Sequence, residues 1–221
     1  MNLVQQIDGL NAEPWIGAEF RVSRFRPIFV GHSHYEEGFG GQPVGPGLTR
    51  AAIELHIGET VGLRFYSGLI QMATGLHHAY VDRGAFYARI GFANLLQTYL
   101  DAARMAADPA DLAADSAALV AVFEAVDPTH IVLLGDQVWD GFEQPGHFVA
   151  DGRRGDPYWA GRIAGRPVFW ASHPSSGFSG LDWARTFGHF LRDHGMNDDE
   201  LAAWADAVRL RPESALLEEQ A

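Results

Sequence analysis

Four short apolar runs, separated by helical patterns, recur along the chain, and small or ionisable residues follow them. They are Pro27–Val30, Phe86–Phe92, His130–Gly135 and Val168–Ala171. Short continuous apolar runs are typical of strands that are buried on both faces of a sheet. Four such strands with helices between them predict an α/β protein, a three-layer α/β/α sandwich built on a short four-stranded parallel sheet.

Apolar residues at helical spacing predict the elements between and after these strands. The predicted helices are Thr49–Ile57, Thr60–Thr74, Leu112–Val126, Gln137–Phe148, Leu181–His194 and Asp198–Arg209. Asn197 is expected to cap the last helix, because acidic residues fill the turn that follows it. Residues 1–20 are expected to form an N-terminal helix or arm. No repeat or linker divides the chain, so residues 1–221 are predicted to be one domain, with a helical insertion at about 37–80 and closing helices at about 181–210.

Composition excludes several kinds of chemistry. The 221 residues include no cysteine, and all sixteen basic residues are arginine. Disulfides, thiolate metal sites, cysteine-ligated iron–sulfur clusters and a lysine Schiff base are therefore excluded. No apolar run approaches the roughly 18 residues that span a bilayer, and the N-terminus lacks the layout of a signal peptide. We expect a cytoplasmic protein that does not enter a membrane.

The net charge of −12 argues against tight, non-specific binding to duplex DNA, which depends on neutralising phosphates. Net charge alone does not exclude local binding of phosphate, however, because a group of arginines precedes each of the two polar loops described next. The two groups are Arg21, Arg24 and Arg26, and Arg153, Arg154, Arg162 and Arg166. Such arginines either solvate the surface or bind phosphate, and the sequence leaves both roles open.

The loops that follow the first and last predicted strands contain most of the candidate chemistry. The first begins Gly31-His32-Ser33-His34-Tyr35, and the second contains His173-Pro174-Ser175. Ligands of open α/β sheets bind beyond the carboxyl ends of the parallel strands. We therefore predict that Gly31–Tyr35, Asn94 and His173 converge on one pocket there.

Taken in order, these motifs resemble those of the uracil-DNA glycosylase superfamily, over about residues 27–190. Gly31–Glu36 is similar to the water-activating loop of that superfamily, and Asn94 to the base-recognising Asn after its second strand. Leu133-Leu134-Gly135 is similar to its Leu-Gly signature, and His173-Pro174-Ser175 to its His-Pro-Ser motif. The resemblance implies a hydrolase of N-glycosidic bonds that acts on a damaged or deaminated base in DNA. It also implies that neither a cofactor nor a metal is needed.

The resemblance also implies roles for individual residues. His173, Ser33 and Glu36 are the implied catalytic residues. The implied substrate-binding residues are Gly31, His32, His34, Tyr35, Asn94 and Ser175. The chain departs from the best-known members at Ser33, where they have an Asp, and a neutral hydroxyl cannot supply the charge of a carboxylate. Glu36 is the nearby carboxylate that could replace it. Phe92 is the candidate aromatic for stacking on a base, and Phe178 is the candidate wedge into a duplex.

Two other functions stay open at this point. One is a non-catalytic module of the same fold that binds a nucleobase or nucleotide, which Ser33 and the acidic composition favour. The other is a metal-dependent hydrolase, because His32 and His34 share a face of an extended segment and Asp136 or His173 could complete a ligand set. A nucleophilic Ser33 with His173 as its base is disfavoured, since Tyr35 stands where the G-x-S-x-G motif needs a small residue. The expected partner is a nucleobase-containing substrate, DNA included, and the oligomeric state is left open.

Overall fold

The computed structural model describes residues 7, 9–34, 40–58, 64–102, 105, 107–150, 158–174 and 179–210. Within these residues, seven strands form one sheet: β1 (Trp15–Ile16), β2 (Pro27–Gly31), β3 (Gly91–Asn94), β4 (His130–Leu134), β5 (Phe148–Ala150), β6 (Ala160–Ile163) and β7 (Arg166–Ala171). Seven α-helices accompany them: α1 (Leu48–Gly58), α2 (Arg64–Thr74), α3 (Arg83–Arg89), α4 (Pro109–Val126), α5 (Asp136–Glu143), α6 (Gly180–Asp193) and α7 (Asp198–Ala207).

The sheet is mixed, with the strand order β1-β3-β2-β4-β7-β6-β5. Its central strands β3, β2, β4 and β7 pair in parallel, whereas β1 at one edge and β6 and β5 at the other pair antiparallel. The prediction of an α/β protein is confirmed, but the prediction of a four-stranded sheet is wrong. Ala164 and Gly165, which both have positive φ, form a tight turn of the kind that closes hairpins, and this turn folds β6 back onto β7.

Helices cover both faces of the sheet, because side chains of the central strands alternate between two cores. Phe29, Phe92, Val132 and Phe169 face the core formed with α1, α2, α3, α6 and α7. Ile28, Ala93, Ile131 and Val168 face the core formed with α4 and α5. Both sets are almost fully buried, as expected for short strands of continuous apolar character.

The predicted strand Phe86–Phe92 is wrong over most of its length, because residues 83–89 form helix α3 and the strand begins only at Gly91. Asp82 starts the helix, since its side chain accepts a hydrogen bond of 2.9 Å from the backbone N–H of Ala85. Phe86 and Tyr87 are adjacent and both fully buried, which a strand with alternating faces cannot achieve against a single core.

Helix α5 is shorter than predicted, and the N-terminal segment takes one of its two expected forms. The helix predicted for Gln137–Phe148 ends at Glu143, and Phe148 begins strand β5. Gly146, with φ of +80°, lies in the turn between them. Of the helix or arm expected at the N-terminus, residues 7 and 9–20 form an arm, which adds the two-residue strand β1 to β3.

The predicted cap of the last helix is confirmed. The Asn197 side chain accepts a hydrogen bond of 2.9 Å from the backbone N–H of Glu200, and the backbone N–H of Asn197 donates one of 2.9 Å to the Glu200 carboxylate. This reciprocal pair satisfies two N–H groups that the first turn of a helix leaves unbonded. Among the described residues, no helix has the length and apolar character needed to cross a membrane.

Candidate functional site

The loops after β2, β3, β4 and β7 emerge at the same end of the sheet, because these four strands are parallel. This end, where the strands have their carboxyl ends, is the carboxyl edge of the sheet. In the register of the sheet, Gly31 lies beside Asn94 and Leu134 lies beside Ala171. One strand, β4, separates β2 from β7. At the usual spacing between strands, the loops after β2 and β7 therefore start about 10 Å apart.

Gly31 and Asn94 are in close contact at this edge. A Cβ atom built on Gly31 would lie 2.3 Å from Oδ1 of Asn94 and 3.3 Å from Cζ of Phe92. Glycine is therefore required at this position for the amide of Asn94 to lie where it does. Asn94 is largely buried, at 7% exposure. Its side-chain amide offers both donors and acceptors to a ligand at the rim.

His173 reaches the same edge from the loop after β7. A Cβ atom built on Gly135 would lie 3.2 Å from Cβ of His173, and Gly135 has φ of +106° at the turn from β4 into α5. The His173 ring lies 5.3 Å from the ring of Phe65 on α2, and the Phe65 ring lies 6.0 Å from that of Phe92. Phe65 thus lies between Phe92, in β3, and His173, in the loop after β7, and it forms an apolar surface next to His173. The sequence did not single it out, since an aromatic residue in a helix is usually part of the core.

His32 is buried beside His173. Its Nδ1 lies 3.3 Å from Oγ of Ser33, within hydrogen-bond distance. Burial, together with a smaller effect of the nearby His173, lowers the pKa of His32 to about 4. His32 is therefore neutral at pH 7, with one donor and one acceptor nitrogen. Its Nε2 is buried and has no hydrogen-bond partner among the described residues.

His34 points towards α1 and is held there. Its Nε2 lies 3.3 Å from Oγ1 of Thr49, in the first turn of that helix. Burial lowers the pKa of His34 to about 4, so this imidazole is also neutral at pH 7. In the part of the chain that the structure describes, no three His, Asp or Glu side chains are grouped closely enough to hold a metal ion. The ligand set expected from His32, His34 and a third residue is thus not found in that part.

The segment 95–100, which follows β3, holds the loop at 31–34 by its backbone. The N–H groups of Leu95, Leu96 and Leu100 donate hydrogen bonds of 2.8, 2.9 and 3.0 Å to three carbonyls of the loop. The acceptors are Gly31, His32 and His34. The loop is therefore fixed to the strand end that provides Asn94.

Several predicted residues do not contribute to the described geometry. Tyr35, Glu36, Ser175 and Phe178 lie outside the described residues. Phe92 is 1% exposed and packs in the core, which leaves no open face for the stacking contact expected of it.

The arginines expected to flank the loops lie elsewhere. Arg26 and Arg166 begin or precede β2 and β7 at the amino edge of the parallel strands, opposite the candidate site, and both pair with Asp127, at 3.1 and 3.0 Å. Arg24 pairs with Glu200. Of the second group, Arg153 and Arg154 lie outside the described residues. The paired arginines do not provide a phosphate site next to His173.

The protein is thus an α/β protein with a candidate site at the carboxyl edge of its sheet. The site includes the amide of Asn94, the neutral imidazoles of His32 and His34, and the aromatic ring of Phe65. Among known proteins, no family model matches the chain, and no curated protein shows significant sequence similarity to it.

Proposed function

We propose that this protein is a divergent member of the uracil-DNA glycosylase-like superfamily that hydrolyses N-glycosidic bonds, acting on a damaged or deaminated base in DNA. The observation that supports this proposal is the meeting of Asn94, His32 and His173 at the carboxyl edge of parallel strands. An amide and a neutral imidazole, here that of His32, are groups that can match the donors and acceptors of a base edge. The Phe65 ring adds the apolar surface that such pockets usually have.

In the proposed reaction, Asn94 pairs with the edge of the base and His173 donates a hydrogen bond to the base as it leaves. The bond between C1′ of the sugar and the base nitrogen breaks, and its electron pair stays with the base. A water molecule adds to C1′, and its proton neutralises the departing base. Donors that are already in place stabilise such a developing anion without reorganising.

The position of Ser33 favours slow hydrolysis. Its hydroxyl lies 3.3 Å from the neutral His32, and neither group supplies a negative charge to stabilise a positively charged sugar. The same observation favours the second candidate function, a module that binds a nucleobase or nucleotide without cleaving it.

Cleavage of uracil-containing single- and double-stranded oligonucleotides under single-turnover conditions tests the proposal. We expect His173→Ala to lower the rate by about a hundredfold or more, because a preorganised donor is lost. Ser33→Ala should lower it only by about fivefold, the effect of one hydrogen bond of roughly 1 kcal/mol. His189→Ala, which alters an exposed histidine of α6, is the matched control and should cleave like the parent.

The outcomes separate the candidate functions. Cleavage by His173→Ala at the parental rate would show that the site is assigned wrongly. A parent that binds free uracil in a calorimeter without cleaving the oligonucleotides is the binding module. A parent that does neither refutes both, and a parent that loses cleavage with chelator requires a metal that the proposal does not include.

A further inference from the structure

Gln97 follows β3, next to Asn94 of the candidate site, and is 1% exposed. Its side-chain Oε1 accepts hydrogen bonds from the backbone N–H groups of Asn11 and Ala12, at 2.9 and 2.8 Å. Its Nε2 donates to the carbonyls of Asn94 and Leu95, at 3.1 and 3.4 Å. An amide side chain has two donor hydrogens and two acceptor lone pairs, so backbone groups use its full capacity.

The backbone of Gln97 is tied down as well. Its N–H donates a hydrogen bond of 2.9 Å to the carboxylate of Asp115 on α4. Its carbonyl accepts from the N–H of Val44, at 2.9 Å, and from the side-chain amide of Asn11, at 3.2 Å. One buried residue thus joins the N-terminal arm, α4 and the residues before α1 to the end of β3.

This junction lies in the middle of the segment 95–100, which holds the loop at 31–34 by three backbone hydrogen bonds. The Gln97 amide also contacts the carbonyl of Asn94 directly. Asn94 and the loop at 31–34 are therefore both attached to a residue that is too deeply buried to contact a ligand. Buried hydrogen-bond networks of this kind rigidify the groups that they connect.

We propose that Gln97 is a positioning residue: its amide fixes the strand end that provides Asn94 and, through the segment 95–100, the loop that provides His32 and His34. The identity of the ligand rests on the proposed function, whereas the positioning itself can be measured without a ligand.

Gln97→Glu is the most informative variant, because it retains the size of the side chain. The carboxylate still accepts hydrogen bonds from Asn11 and Ala12, but it cannot donate to the carbonyls of Asn94 and Leu95. Thr74→Ala is the control for a general loss of stability. Thr74 is buried in α2. Its hydroxyl donates a hydrogen bond of 2.7 Å to the carbonyl of Ile70 and accepts one of 3.1 Å from the N–H of Leu76. Removing this hydroxyl therefore also breaks buried hydrogen bonds.

Titration of each histidine by NMR on the full chain reads out the position of the loop. Burial lowers the pKa of four histidines to about 4, two in the loop and two elsewhere: His32, His34, His56 and His130. In Gln97→Glu we expect the pKa of His32 and His34 to rise by about one pH unit, because water reaches a loosened loop; the new carboxylate also raises histidine pKa values by its charge, so the uncharged variant Asn11→Ala must raise the pKa of His32 as well. His56 and His130 should keep their values, and Thr74→Ala should leave all four unchanged. Affinity for free uracil should fall roughly tenfold in Gln97→Glu and stay near the parental value in Thr74→Ala.

Unchanged pKa values for His32 and His34 in Gln97→Glu would overturn the inference, and so would an equal rise for all four histidines. If Gln97→Glu does not fold, Asn11→Ala removes one bond to the same residue, and it should raise the pKa of His32 by a smaller amount; no rise overturns the inference. A parent that neither binds uracil nor cleaves uracil-containing oligonucleotides refutes the proposed function, and the histidine titrations then still decide whether Gln97 positions the loop.

Discussion

Replacing Gly31 by Ala tests whether the contact between Gly31 and Asn94 sets the candidate site. The new Cβ would lie 2.3 Å from Oδ1 of Asn94. Since close contacts between carbon and oxygen are seldom shorter than about 3.3 Å, the amide must move by about 1 Å. A misplacement of about 1 Å in a group that orients a ligand lowers activity by about a hundredfold. We therefore expect uracil affinity or single-turnover cleavage to fall by about that factor.

Gly45→Ala is the matched control, because Gly45 is exposed and an added Cβ would meet no atom within 4 Å. It should bind and cleave like the parent. Chemical denaturation checks that Gly31→Ala is folded; we expect it to lose about 1–3 kcal/mol of unfolding free energy through overpacking.

A double-mutant cycle separates the contact from other effects of the substitution. Once Asn94→Ala has removed the amide, the Cβ of Gly31→Ala meets only Cζ of Phe92, at 3.3 Å, so the double variant should bind about as strongly as Asn94→Ala alone. Additive losses, or parental affinity in Gly31→Ala, would refute the reasoning.

Three further predictions concern stability. Lowering the pH from 7 to 4 should lower the urea midpoint, because the unfolded chain takes up protons below its histidine pKa of about 6.5. The folded chain takes up fewer protons, because burial holds four of its histidines neutral down to about pH 4: His32, His34, His56 and His130. A constant midpoint would contradict this. Burial raises the pKa of Asp115 to about 6, so its ionised form opposes folding above that pH. Asp115→Asn, which can still accept from the N–H of Gln97, should gain about 1–2 kcal/mol of unfolding free energy at pH 8 and little at pH 4, and a loss at pH 8 would show that the carboxylate is needed. Gly180→Ala on α6 would place a Cβ 2.5 Å from a side-chain carbon and 2.8 Å from a carbonyl of α2, and it should lose about 1–3 kcal/mol in the same denaturation assay. Gly188→Ala in the same helix meets only the flexible end of an arginine at 3.4 Å and should gain about 0.5–1 kcal/mol, so effects of the same sign would be evidence against the packing argument.

The parts of the fold that the sequence predicts are those whose signal is local. Strands β2, β4 and β7 are continuous apolar runs because both of their faces are buried, and composition alone marks them. Strands β1, β5 and β6 are short and lie outside the four central parallel strands, where pairing with a neighbour rather than apolar character defines them. Helix α3 was mistaken for a strand because a seven-residue helix offers too few turns for its period to be recognised.

The candidate site was predictable for a similar reason, and only in part. Asn94 and His173 follow strands, so the rule for parallel sheets brings them to one edge. His32 and His34 share a face only while the chain stays extended, and the loop leaves the sheet at Gly31 and turns His34 towards α1. Gln97 has no local signal, because its burial depends on an arm that precedes it by more than 80 residues.

Asp127 has a consequence for how this fold tolerates change. Its carboxylate holds Arg26 and Arg166, at the starts of the strands on either side of β4, and it follows α4 in a left-handed backbone conformation with φ of 53°. These exposed ion pairs link β2 and β7 at the end of the sheet farthest from the candidate site, in addition to the backbone pairing of both strands with β4. Loops at the opposite, carboxyl end of the strands can therefore change without breaking these ion pairs. The amino ends of the strands, which carry these ion pairs, are thus separate from the carboxyl ends, on which a new specificity can evolve.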